Sequence, residues 1–288
     1  MKPRIYVVVG PTASGKSAYA VKLAKKVGGE VISADSRQVY RGLDIGSGKI
    51  TKREMAGVPH HMLDVASPTR VFTAHDYVRK ARPILEKKLK AGKSVVICGG
   101  TGFYIDALLG RISLPDVPPN RELRRELKGK SAPQLFAILK KMDARRAKDI
   151  DQHNPVRLIR AIEIAKALGK VPKMKKPASP LPDYEVFWLG MKTAEIPLRE
   201  KIHARLLARM KSGMVAEARR LHKSGLSYKR MESLGLEYRH LASLLQRKTT
   251  KAEMLASLEH DIWKYAKRQK TYWRRNAEIT WKNPEKLS

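Results

Sequence analysis

The sequence predicts an α/β protein: a parallel sheet built around a phosphate-binding loop, with a small all-helical unit inserted into it. Three observations predict this class. An apolar run, Ile5–Val9, passes directly into the spacing Gly10, Gly15, Lys16, Ser17 and then into an amphipathic helix. Later apolar runs of strand length, Glu30–Ala34, Ser94–Cys98 and Glu185–Met191, recur between helical segments, the pattern of a parallel sheet. Between residues 128 and 176 the chain turns helical and basic, with 14 Lys/Arg against 4 Asp/Glu.

Ile5–Val9 has no polar alternation, so it reads as a strand buried on both faces. The G-x-x-x-x-G-K-[ST] spacing after it has a direct physical reading. Glycines let the backbone curl until several N–H groups point at one anion, and the following helix adds its positive end. The Lys16 ammonium reaches terminal phosphates, and the Ser17 hydroxyl can hold a magnesium ion. The loop alone does not choose among ATP, GTP and another diphosphate. Tyr19, Leu23 and Val27 form the stripe of the first helix. The second strand places Asp35 at its carboxyl end, where open α/β sheets bind ligands. Asp35 reads equally well as a crevice carboxylate or as a turn cap. Asp44–Lys49 (DIGSGK) reads as a loop rather than a second phosphate grip, since no strand–helix frame surrounds it. His60 and His61 point in different directions on any regular element and lack a third ligand. They mark a buried or hydrogen-bonded corner feeding a strand, not a metal site. A helix over Thr73–Ala91 leads to the Ser94–Cys98 strand, which runs into Gly99-Gly100-Thr101-Gly102. Glycines around one threonine suit close backbone approach to a ligand, with the hydroxyl aimed at it.

The Pro-rich stretch Leu114–Asn120 ends the first core segment. Helices are expected over Arg121–Leu127, Pro133–Met142 and Pro155–Leu168, where Arg157 and Arg160 share a face. Val171–Pro182 reads as a mobile linker. The expected division is 1–117, 118–180 and 181–288. After the returning strand, a helix over Pro197–Ser212 carries Lys201, Arg205 and Arg209 as one cationic stripe. Met214–Lys223 and Tyr238–Leu245 are helical, and Lys251–Arg275 is the closing helix. Its end interleaves bases with Tyr272 and Trp273, a pattern that grips phosphodiesters and stacks on bases, or else packs into a core.

The balance of 60 basic against 27 acidic residues, net +33, points to a polyanionic partner, nucleic acid ahead of membrane. A lysine-rich thermophile surface would raise Glu together with Lys, and here acids lag. The single cysteine, Cys98, excludes a disulfide framework and a multi-cysteine zinc site. No run approaches the roughly 20 apolar residues of a membrane span. The chain enters its first strand at once, leaving no room for a signal peptide, so a cytoplasmic protein is expected.

The motif set resembles that of the tRNA dimethylallyltransferases (isopentenyl-tRNA transferases) of bacterial type. The matches are GPTASGKS (Gly10–Ser17), DSRQVYRGLDIGSGK (Asp35–Lys49), PHHMLDV (Pro59–Val65), GGTGFY (Gly99–Tyr104), NPVRLIRAIE (Asn154–Glu163), KIHAR (Lys201–Arg205) and KRQKTYWR (Lys267–Arg274). This resemblance implies a P-loop NTPase-like core with an inserted helical domain that clamps the tRNA anticodon stem-loop, acting as a monomer without a membrane. It implies transfer of a dimethylallyl group from dimethylallyl diphosphate to N6 of the adenosine just 3′ of the anticodon, with Mg²⁺ as cofactor. Gly10, Pro11, Thr12, Ala13, Ser14, Gly15, Lys16 and Ser17 are then the diphosphate loop, with Mg²⁺ near Ser17. Asp35 is the implied base, Thr101 helps hold that site, Arg124 is a further catalytic arginine, and Arg205 steadies the leaving diphosphate. Asp35, Ser36, Arg37 and Gln38, then Arg157, Leu158, Ile159, Arg160 and Ala161, and finally Lys267, Arg268 and Gln269 are implied tRNA contacts. Transfer to free AMP, ADP or ATP, small-molecule phosphorylation, and RNA binding alone are the competing readings.

Overall fold

The computed structural model describes residues 3–172 and 184–283. Its first segment runs β1 (Ile5–Val9), α1 (Lys16–Lys26), β2 (Glu30–Ser33), α2 (Lys52–Met55), β3 (His60–His61), α3 (Ala74–Lys90), β4 (Val95–Cys98) and α4 (Gly102–Leu108). Four helices follow: α5 (Arg121–Glu126), α6 (Ala132–Met142), α7 (Ala144–Lys148) and α8 (Pro155–Leu168). The chain returns through β5 (Val186–Met191), α9 (Glu195–Lys211), α10 (Met214–Lys223), α11 (Tyr228–Leu234), α12 (Leu236–Leu245), α13 (Lys251–Trp273) and β6 (Thr280–Lys282).

The six strands form one parallel sheet in the order β3-β2-β4-β1-β5-β6. The period-2 alternation of side chains explains why β1 has no polar residue. Ile5, Val7 and Val9 enter the main core, while Val8 enters a second cluster with Ala20, Val21 and Ala24 of α1 on the other face. Both faces are covered, so both must be apolar. The His60–His61 pair is itself the edge strand β3, and its hydrogen bonding has a partner across the sheet. His61 Nε2 lies 2.6 Å from a carboxylate oxygen of the buried Glu30, which also takes Lys88 Nζ at 2.7 Å. Edge strand β6 and the short helices α2, α7 and α11 were not expected from the sequence.

The described residues 110–172 belong to a compact unit of their own, which opens ahead of the Pro-rich stretch. Its own core includes Leu123, Leu135, Leu139, Leu158 and Ile162. Its helix starts are capped from the sequence: Asn120, Ser131, Asp143 and Asn154 each accept a backbone N–H in the first turn. Most of the expected linker, 173–182, lies outside the described residues. No helix among the described residues is long and apolar enough to cross a membrane.

Candidate active site

At the carboxyl ends of β1, β2 and β4 lies a cavity of about 400 Å³. Thr12, Lys16 and Ser17 form one wall, Asp35 to Gln38 a second, and Arg205 with Arg209 of α9 a third. Gly10, Pro11 and Ser14 of the loop are buried, and Ser14 N closes the turn on Pro11 O at 3.3 Å. Ala13 (φ 61°) and Gly15 (φ 79°) both adopt left-handed backbone, the curl that turns N–H groups inward. Lys16 Nζ donates to Pro11 O at 3.1 Å, folded back on its own loop.

The electrostatics are those of a site built for an anion. Burial lowers the pKa of Lys16, and the nearby Arg205 charge lowers it further. Burial of the Arg205 guanidinium and the charge of Arg209 lower the Arg205 pKa as well, although part of that side chain meets solvent. Cations gathered on the walls of one cavity are stabilised together when a polyphosphate enters between them. Lys201, the third member of the expected stripe, is exposed and stands outside the cavity wall.

Asp35 satisfies both of its readings. Its Oδ1 accepts from the backbone N–H of Arg37 (2.8 Å) and Gln38 (3.3 Å), so it caps the turn, and the same residue faces the cavity. Oδ2 has no hydrogen bond among the described residues. Thr101 works from behind: its Oγ1 accepts from Ser36 N (3.0 Å). It holds the Asp35–Ser36 turn, while Tyr265 lines the cavity.

Several expected residues take other roles. Gln269 is buried, with Oε1 accepting from Thr12 N (2.7 Å) and Nε2 donating to Gly100 O (3.0 Å). It braces the phosphate loop against the β4–α4 turn, with both ends of its amide engaged inside the protein. A Cβ on Gly100 would collide with that amide, which is why glycine stands there. Arg124 lies in the helical unit, with its fork closed on the buried Glu163 at 2.7 and 2.8 Å. That carboxylate also takes Asn120 N (2.9 Å) and Arg160 Nη1 (3.3 Å). Arg124 therefore ties α5 to α8 within the helical unit. Leu158 and Ala161 are buried core residues of the helical unit, while Ile159 packs against that core and stays partly exposed. Arg160 is held by Glu163 and by Val117 O (2.7 Å), which leaves Arg157 as the exposed base of that segment. Lys267 and Arg268 are exposed, lying over Trp263 and Tyr265 respectively. Trp273 is buried against Trp188, and the Tyr272 hydroxyl bonds Asp106, so the core reading of these aromatics holds.

The sequence reading missed Glu237, which holds Arg209 Nη1 at 2.8 Å, and Asp261 and Tyr265 on the cavity-facing stripe of α13. Asp261, Tyr265, Arg268 and Gln269 all reach the cavity at i, i+4, i+7 and i+8. A polar stripe at helical spacing was the available signal.

The IPP transferase family model matches residues 38–276. "tRNA dimethylallyltransferase 2" of Treponema denticola is 42% identical over 281 residues, covering 96% of this chain and 94% of that protein. "tRNA dimethylallyltransferase 1" of Geotalea uraniireducens is 38% identical, with 96% and 89% covered. The crystal structure of the full-length tRNA isopentenylpyrophosphate transferase from Bacillus halodurans superposes with a TM-score of 0.73 at 34% identity, covering 98% of this chain and 90% of that one. A eukaryotic dimethylallyltransferase acting on tRNA, 22% identical, shares the fold at a TM-score of 0.80, with 94% and 70% covered. The chain belongs to the IPP transferase family.

Proposed function

We propose that this protein transfers a dimethylallyl group from dimethylallyl diphosphate to N6 of the adenosine 3′-adjacent to the anticodon of tRNAs reading U-starting codons. One observation carries the reading: a single cavity holds a phosphate loop, two arginines and a carboxylate with an unengaged oxygen. The C–O bond to the diphosphate breaks as the N6–C bond forms, and the N6 proton passes to Asp35 Oδ2. Negative charge then builds on the departing diphosphate, where Lys16, Arg205 and the loop N–H groups stabilise it. The loop thus serves as a leaving-group holder and hydrolyses nothing.

The residues fit a magnesium ion of the usual kind, which takes one or two protein oxygens and otherwise phosphate and water. Ser17 would supply the protein oxygen, and the ion would add charge neutralisation on the diphosphate. Arg37 and Arg268 at the cavity, and Arg157 in the helical unit, are the proposed phosphate contacts for RNA.

The test is nucleoside mass spectrometry of unmodified tRNA incubated with the protein, Mg²⁺ and dimethylallyl diphosphate. The expected result is adenosine heavier by one dimethylallyl group at the position following the anticodon. Transfer to AMP with none to tRNA would assign a free-nucleotide prenyltransferase, and no transfer to either would overturn the proposal.

A further inference from the structure

Glu217 of α10 is 1% exposed and lies against the loop over Asp44–Lys49. Its Oε2 accepts from the backbone N–H of Asp44 (3.0 Å) and Ile45 (2.7 Å), and its Oε1 from that of Gly46 (2.9 Å). The Tyr238 hydroxyl also donates to Oε1, at 2.8 Å. The glycine-rich loop is therefore an anion nest whose anion is built in. The loop's carbonyls carry the contact onward. Gly46 O accepts from Arg209 Nη1 (2.9 Å), and Gly48 O accepts from Arg205 Nη2 (3.0 Å). Donors on one side of the loop are taken by a buried carboxylate, and acceptors on the other side hold the two cavity arginines.

We propose that Glu217 is a positioning residue: through this loop it sets the guanidinium groups of Arg205 and Arg209 for the diphosphate. The inference rests on the diphosphate reading of the cavity. A carboxylate offers acceptors only and matches four donors. Glutamine at 217 would turn an NH₂ toward N–H groups, and the loop would shift or open. Gly48 and Arg205 are in close approach, since a Cβ on Gly48 would stand 2.7 Å from Arg205 Nη2 and displace it.

The experiment is calorimetric binding of inorganic pyrophosphate with Mg²⁺ to the full-length protein, in a double-mutant cycle. Glu217→Gln should weaken pyrophosphate about tenfold, and that loss should vanish in an Arg205→Ala, Arg209→Ala background, because the effect runs through those side chains. Loss of the same size in both backgrounds, or no loss in a folded Glu217→Gln protein, overturns the inference. If Arg205→Ala, Arg209→Ala leaves pyrophosphate binding intact, the diphosphate reading itself fails, which is a separate outcome. Should Glu217→Gln not fold, Tyr238→Phe removes one donor to Glu217 and must show a smaller loss with the same dependence on the arginines; additivity there also overturns the proposal.

Discussion

A carboxylate that both caps a turn and faces a cavity can be dissected by choosing the replacement. Asp35→Asn keeps an Oδ1 to accept from Arg37 N and Gln38 N, so the turn survives while the base is gone. Asp35→Ala loses both. The asparagine variant should lose about 10²- to 10⁴-fold in kcat, the usual worth of a general base, with tRNA affinity within a factor of about two of the parent. Single-turnover kinetics and filter binding on the same protein would check this, and an asparagine variant with undiminished turnover would remove Asp35 from proton transfer. Gln269 carries the lesson of this scale. Its neighbours Lys267, Arg268 and Lys270 make it read as part of a basic RNA surface, yet it faces inward and joins Thr12 to Gly100. Side-chain direction on a helix depends on which face the core occupies, and neighbouring residues in sequence lie on different faces.

Among the elements, the junction of β2, β3 and α3 turns on Glu30. Burial alone would raise its pKa, but hydrogen bonds from Lys88 and His61 and the Lys88 charge win, holding it at about 2 against an ordinary 4.5. A carboxyl depressed on folding contributes stability above its unfolded pKa and loses it as pH falls through the folded one. Glu30→Gln should therefore melt below the parent at pH 7, with the gap closing as pH falls from about 4.5 toward about 2. Melting curves of both proteins across that window would decide it, and a gap independent of pH would assign the contribution to packing. Element legibility followed length and burial. β1, β4 and β5 were readable because central strands need apolar residues on both faces. β3 and β6 hide because two or three residues at a sheet edge, His60–His61 and Thr280–Lys282, show no period, and their pairing comes from β2 and β5. Helix α8 runs over the expected Pro155–Leu168, and the structure shows Asn154 capping its start and Gly169 at φ 76° closing it.

For the molecule as a whole, the net charge of +33 is the dominant long-range property. A protein that neutralises RNA phosphates releases their counterions, so affinity must fall as salt rises. Affinity for tRNA should drop about a hundredfold between about 50 and about 200 mM salt, the loss that roughly four phosphate contacts produce. Binding isotherms over that range test it; a flat dependence would mean that the charge serves something other than RNA. The helical unit has a complete core of its own around Leu135, Leu139 and Leu158, and its buried Glu163 gathers Arg124 and Arg160 internally. Part of its basic excess is therefore structural, which composition does not reveal.

The order of strand, phosphate loop and helix, the buried strands, the longer helices and the basic character all followed from the chain itself. They depend on contacts between near neighbours and on the two periods of backbone geometry. What the tertiary structure decided is which charges are matched by a buried counter-charge or backbone and which face the cavity. Arg124 and Arg160 are held by Glu163, Glu217 holds the Asp44–Lys49 loop, and Arg205, Lys16 and Asp35 remain to face one cavity. Partners in these sets are separated by tens to hundreds of residues. A charged side chain looks alike in sequence whether it meets solvent, a buried counter-ion or a substrate, and only folding brings its partner within hydrogen-bond distance.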